Sequence, residues 1–322
     1  MSAVSPTNSI PTMTCMEVWG GNAAAETSFG TLGIEIWIHS IPYQQADSGG
    51  DIHYVSTCSS GRITRLLVAD VSGHGVNVSD LAVKLRGLMR QHINKIDQRR
   101  FVEKMNEDFA SLRNMGGFAT AMATTYHSPS AEFTFTNAGH PYVLYYHHRT
   151  RAWKIVNPSQ SRSTSESSEP ISDLPLGVLE QMNYREVTLR AEAGDLALIY
   201  TDSLVESKRP DGSMLGIDGL LELVSTCDAS RPNSLIGELL GKIRQLAPGN
   251  LTDDDTTVVL MRSLGNKSRP GLLTIFAAPF RLLWKTAEAM VRREPLPLPD
   301  LTVQPKKSRQ NLARTDAKNA GV

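Results

Sequence analysis

Apolar and polar positions alternate in short runs along this chain, then switch to helical spacing, and the switch happens twice. From Leu32 to His39, Ile34, Ile36 and Ile38 alternate with other residues, which predicts a strand. A Gly-Gly turn leads into a second strand over DIHYVSTC, and past Gly61 a third follows over RITRLLVAD. The short connections between these three predict an antiparallel meander. Between Val78 and Ile96, Leu81, Leu85, Leu88, Met89 and His92 fall at helical spacing. A second helix is predicted over Phe101 to Leu112, ended by Gly116-Gly117. Strand patterns return in FATAMATTYH, AEFTFTNA and PYVLYYHH, and again near Tyr184 to Leu189 and Leu196 to Thr201. Helices near Ile217 to Ser225 and Ser234 to Leu246 precede a last strand, Thr256 to Arg262. This order predicts an α+β domain, with sheets packed on each other and helices outside.

The domain is placed at residues 28–264. Residues 1–27 are weakly patterned and read as a flexible arm. The stretch 157–170 (NPSQSRSTSESSEP) is almost free of apolar residues and reads as a disordered surface insertion, because strand patterns resume beyond it. Residues 265–293 include GLLTIFAAPFRLLWKTAEAMVRR, read as an amphipathic helix with basic Arg281, Lys285, Arg292 and Arg293. Its section 271–293 has three open roles: capping the domain's own core, binding a partner, or lying on a membrane surface. Residues 294–322 read as a disordered tail.

Lys+Arg and Asp+Glu balance at 33 each, which argues against nucleic acid as a partner. The three cysteines are far apart, with no CxxC pair, and read as reduced thiols in a cytoplasmic protein. The N-terminal MSAVSPTNSIPTMT lacks a basic region followed by an apolar one, so no secretory signal is expected. No run reaches the roughly 18–20 apolar residues that span a bilayer. The expected location is the cytoplasm, with peripheral membrane contact through 271–293 as the variant.

Chemistry enters through four acidic motifs: SGGD ending at Asp51, LLVADVSGHG around Asp70, LALIYTDSLVES around Asp202 and LTDDDTTVVLM around Asp254. Three of them set Asp beside an apolar, strand-like run. A charge there is costly to bury unless it is paired or holds a metal. Carboxylates brought together by folding repel one another, and oxygen-only ligands favour Mg²⁺ or Mn²⁺. Singly, each has a plainer reading. Asp51 suits a turn, Asp202 and Asp254 suit helix caps, and Asp253 to Asp255 suit a surface charge run. Asp70 resists this, because it ends an apolar strand and enters a Gly-rich turn. There is no GxSxG elbow and no Cys/His signature for a protein nucleophile.

The ordered set IPYQQADSGGD, VADVSGHG, FATAMATTYHSPSAEFTFTNAGHPYVL, PLGV, AGDLALIYTDSLVES, LGIDGL and DDDTTVVL resembles the SpoIIE-type branch of the metal-dependent (PPM, type 2C) protein serine/threonine phosphatases. The resemblance runs from about Leu32 to Leu260. It implies an α-β-β-α sandwich with two Mg²⁺ or Mn²⁺ ions at one edge of the paired sheets. On that likeness Asp70 bridges the ions, Asp51 holds one directly or through water, Asp202 and Asp254 hold the other, and the Val71 carbonyl is a further ligand. Asp253 and Asp255 compete with Asp254 for its role. The implied activity is hydrolysis of phosphoserine or phosphothreonine by a metal-activated water. The implied partner is a phosphoprotein, in relatives often an anti-sigma-factor antagonist. The alternative is a catalytically silent phosphatase-fold module that binds a signalling partner.

His74, in the SGHG turn, is a candidate general acid, with a turn-stabilising role as the other reading. Asn137, Gly139 and His140 read as a strand-end turn. Tyr54 stands where the family often has a second Asp, and Ser203 where it usually has Gly, a position whose Cβ is strained if φ is positive. Arg62, Arg65 and Arg86 are candidates for holding the substrate phosphate only by nearness in sequence.

Overall fold

The computed structural model describes residues 19–57, 61–72, 76–93, 95, 97–111, 117–157 and 173–265. Residues 1–18, Gly73, His74, Gly75, Gly116, the insertion beyond Asn157, the amphipathic segment from 266 and the tail lie outside the described residues.

The described strands are β1 (Trp19–Gly21), β2 (Ala25–Thr31), β3 (Ile34–Ile41), β4 (Asp51–Thr57), β5 (Ile63–Val71), β6 (Ala119–His127), β7 (Glu132–Ala138), β8 (Leu144–His147), β9 (Ala152–Ile155), β10 (Glu186–Arg190), β11 (Leu196–Tyr200) and β12 (Thr256–Ser263). The helices are α1 (Val76–His92), α2 (Gln98–Ala110), α3 (Ser203–Glu206), α4 (Gly216–Ser225) and α5 (Pro232–Leu246). One sheet runs β1-β4-β5-β6-β7-β10 and the other β2-β3-β12-β11-β8-β9. Every pairing between these strands is antiparallel.

Strand alternation divides the apolar residues into three layers. Leu66 and Val68 of β5 pack with Ile36, Ile38, Ile199 and Val259 between the sheets. Leu67, Ala69 and Val71 face the other way, onto Leu85 and Met89 of α1 and Phe101, Met105 and Phe109 of α2. Leu198, Tyr200, Val258 and Leu260 of the second sheet meet Leu220 of α4 and Leu239, Leu240 and Ile243 of α5. Each fully buried Leu, Ile, Val or Phe contributes about 1.5–3 kcal/mol. The α-β-β-α sandwich expected from the resemblance is thus present.

Several local expectations change. The arm ends sooner than residue 27: β1 pairs with β4, and β2 forms a hairpin with β3 across Leu32-Gly33, where Gly33 has φ of +88°. Of the predicted meander only the pairing of its second and third strands, β4 and β5, forms. β3 pairs with β2 and β12, whereas β4 pairs with β1 and β5, so residues 42–50 carry the chain from one sheet to the other. Asp97 caps α2 by accepting from Arg100 N at 3.0 Å, which starts that helix at Gln98 rather than Phe101. Pro232 opens α5 two residues before the expected start, since its missing N–H costs nothing there.

Candidate functional site

Both sheets bring acidic strand ends to one edge of the sandwich. Asp51 opens β4 and Asp70 lies near the end of β5, and the two are direct cross-strand partners. Residues so paired have Cβ atoms about 4.5–5.5 Å apart, and like charges there are destabilising. Asp51 shares its face of β4 with Val55, and Asp70 shares its face of β5 with Leu66 and Val68, so both point toward the second sheet. There β11 ends at Tyr200 and leads into Thr201-Asp202, while Asp254-Asp255 lead into β12.

The sheets are stitched at this edge. Thr201 Oγ1 donates to Asp51 Oδ2 at 2.7 Å and accepts from Thr257 N at 3.0 Å, and Thr257 Oγ1 lies 2.9 Å from Ser40 Oγ. Asp51 is buried, and burial raises its pKa well above the carboxylate range. The Thr201 hydrogen bond opposes that rise and the Asp70 charge adds to it. Burial, then the charges of Asp202, Asp254, Asp255 and Glu206, push Asp70 up to about 7. Asp202 is raised by burial and by Glu206. Asp254 is raised chiefly by burial, against a hydrogen bond from Asp255 N.

The acidic triplet divides its labour. Asp253 is exposed. Asp254 stands on the solvent side and acts on Asp70 through its charge. Asp255 is buried and turns inward, accepting from Tyr43 N at 2.6 Å, Gly50 N at 2.5 Å and Asp51 N at 3.2 Å. Sequence reasoning gave Asp255 no role of its own and missed Thr201, Thr257 and Glu206. Strand alternation carried the signal: Asp255 and Thr257 share the face of buried Val259 and Met261.

The other candidates fall elsewhere. Tyr54 lies on the helix-facing side of β4, its hydroxyl donating to Ala82 O at 3.3 Å and its ring under the Arg86 guanidinium. It faces away from Asp51. Ser203 opens α3 without a positive φ, so the expected strain is absent. Asp202 holds the N-cap position of α3 but makes no side-chain capping bond. Arg62 is exposed at the other end of β5, about 27 Å of strand away from Asp70. Arg65 is buried, stacked on Phe101 and donating to Ile93 O, Lys95 O and Thr125 Oγ1. None of the three arginines is brought to the acidic edge. Asn137 and His140 clasp each other through two 2.7 Å bonds, and Gly139 has φ of +72°, as expected of a structural turn. Burial pushes His140 down to about 3, so it is neutral. Val71 ends β5 with its N–H on Gly50 O at 3.2 Å.

Among the described residues, no three His, Cys, Asp or Glu side chains close around one point at ligand distance. The donor set nevertheless suits a hard divalent cation. It is all oxygen, two members are direct cross-strand partners, and the groups acting most strongly on Asp70 after burial are all acidic.

The family described as Stage II sporulation protein E (SpoIIE) matches residues 60–263. The chain belongs to the SpoIIE family. Phosphoserine phosphatase RsbU of Bacillus subtilis (strain 168) is 23% identical over 232 residues, covering 72% of this chain and 64% of RsbU. The chain thus spans under two thirds of the length of that curated relative. The solved PP2C phosphatase domain of SpoIIE from Bacillus subtilis superposes with a TM-score of 0.58 at 15% identity, over 76% of this chain and 70% of that one. A solved RsbX in complex with magnesium gives a TM-score of 0.52 at 15% identity, over 74% of this chain and 100% of that one. These likenesses fix the SpoIIE-type fold. Among the described residues, no helix is long and apolar enough to cross a membrane.

Proposed function

We propose that this chain is a Mg²⁺- or Mn²⁺-dependent protein serine/threonine phosphatase. The observation that carries this reading is the Asp51–Asp70 cross-strand pair at an edge where the second sheet delivers Asp202 and Asp254. A phosphoserine ester carries close to two negative charges near neutral pH and would be repelled by this edge alone. Asp70, Asp51, Asp202 and Asp254 would hold the ions, with the Val71 carbonyl as a further ligand. Bound there, the ions supply neutralising charge for the phosphate and acidity for the attacking water. The chain's own part is to hold the ligands. Thr201 donates a hydrogen bond that fixes Asp51. RsbU's name supports a phosphoserine substrate. We extend that to a regulatory phosphoprotein of the anti-sigma-factor-antagonist class, with His74 as proton donor to the leaving serine oxygen.

The test is hydrolysis of a phosphoserine peptide with Mn²⁺, with EDTA, and by the Asp70→Asn and Asp202→Asn variants. Metal-dependent turnover lost in both variants supports the reading. A second reading, a silent module that binds a partner, is motivated by Tyr54, which stands on the helix-facing side of β4 where the family often has a second Asp. Folded protein that neither binds Mn²⁺ nor turns over peptide would replace the first reading with the second.

A further inference from the structure

We infer that Asp255 is a positioning residue that sets Asp51 and the Pro42–Gly50 crossover for metal binding. The inference rests on the metal-centre reading above and deepens it. Residues 42–50 form the one stretch that carries the chain from β3 in one sheet to β4 in the other, and they end directly on Asp51. Such a crossover has no ladder partner to fix it. Two of its backbone N–H groups and that of Asp51, which follows it, converge instead on one carboxylate from the opposite sheet. Asp255 Oδ1 accepts from Tyr43 N, and Oδ2 accepts from both Gly50 N and Asp51 N. The opposite flank is held by Asn22, whose Nδ2 donates to Gly49 O at 2.9 Å and whose carbonyl accepts from Gly49 N at 2.8 Å.

The consequence reaches both strands of the acidic edge. The Gly50–Asp51 peptide, whose N–H donates to Asp255, accepts through its carbonyl from Val71 N. Asp255 therefore fixes the backbone of Asp51 directly and the Asp70–Val71 strand end through Gly50. The segment it restrains is under tension: Gln44 and Gln45 have φ of +52° and +56°, a region that side chains with a Cβ rarely adopt. Gly49 completes the fit. A Cβ added there would stand 2.6 Å from Asp255 Cγ, so only glycine admits the carboxylate. Gly49 has no positive φ, so its role is this close approach and not backbone freedom.

These facts separate positioning from simple charge. Removing the Asp255 charge would weaken cation binding in either case. Gly49→Ala keeps every charge and displaces only the carboxylate. Supporting groups of this kind typically change metal affinity by about 10–100-fold. The experiment is Mn²⁺ titration by calorimetry on the full chain, with thermal melting to confirm folding, for wild type, Asp255→Asn, Gly49→Ala, Asp51→Asn and Asp51→Asn/Gly49→Ala. The expected result is a loss of roughly tenfold or more in Mn²⁺ affinity for both Asp255→Asn and Gly49→Ala in folded protein. In the Asp51→Asn background, Gly49→Ala costs clearly less than in wild type, because one of the two elements it misplaces has already lost its ligand. Wild-type affinity in folded Gly49→Ala overturns the inference. So does a loss in the double variant as large as in wild type, which makes Asp255 a ligand in its own right. A wild-type chain that takes up no Mn²⁺ instead overturns the metal-centre reading on which the inference stands.

Discussion

The acidic edge should make the metal-free protein less stable as pH rises, and Asp70 is the residue to change. Its pKa moves from an ordinary 3.8 to about 7, driven first by burial and then by its acidic neighbours. A carboxyl whose folded pKa exceeds its unfolded value takes up a proton on folding between the two. Native stability is therefore highest below about pH 4 and is lost as the pH rises through about 7. At 1.36 kcal/mol per pKa unit, a shift of this size costs about 4 kcal/mol at full ionisation. Asp70 is partly exposed and shares its repulsion with Asp202 and Asp254, so about 2 kcal/mol is the firmer figure. Asp70→Asn removes the charge at nearly constant shape. In EDTA at about pH 8, the Asn variant should melt roughly 4–8 °C above wild type, and the gap should close as the pH falls toward about 4. Saturating Mn²⁺ should reverse the order, because ligand binding stabilises only the chain that holds it. The assay is thermal melting across pH with and without Mn²⁺. A metal-free Asn variant that melts below wild type at about pH 8, or a gap that does not depend on pH, would refute the assignment of a desolvated, repelled carboxylate at Asp70.

Further predictions concern the neighbours. Asp254→Asn should weaken Mn²⁺ binding in calorimetry, whereas Asp253→Asn should not, because Asp254 and not Asp253 is among the charges acting on Asp70. Tyr54→Asp, which places there the Asp that the family often has, should lower the melting temperature without tightening Mn²⁺ binding, since it buries a charge on the helix-facing side. Gly139→Ala should destabilise by about 2 kcal/mol or more in denaturant titration, as its φ is +72° and a Cβ would lie 2.5 Å from Pro175 Cγ.

Much of the sandwich was readable because period and burial agree. The run before Asp70 is apolar on both faces of β5, and the helical spacing from Leu81 to Met89 falls on one buried face. What failed was pairing. Alternation says which face a strand presents, not which strand lies beside it. β3 therefore looked like a neighbour of β4, when its partner β12 comes more than 200 residues later. β1 and β2 escaped notice because backbone hydrogen bonds hold a Ser/Thr/Gly-rich stretch, and such bonds leave little trace in side-chain type.

The site was legible for a related reason, and its errors are equally specific. Arg65 is five residues before Asp70, yet five residues of strand is about 17 Å, and its odd position turns it to the helix-facing side. Nearness in sequence along a strand is thus distance in space. The aspartates behave oppositely, since residues remote in sequence meet wherever both sheets end on one edge. A like-charged pair placed directly across a ladder, desolvated and surrounded by further acids, conflicts with local stability. Conflicts of that kind are expected where a ligand resolves them. The carboxylate of Asp255 sharpens this point, because it is a fourth kind of commitment at the same edge. It is buried and hydrogen-bonded to backbone, and it holds the Asp51 backbone in place although its own charge adds to the repulsion on the Asp51 side chain.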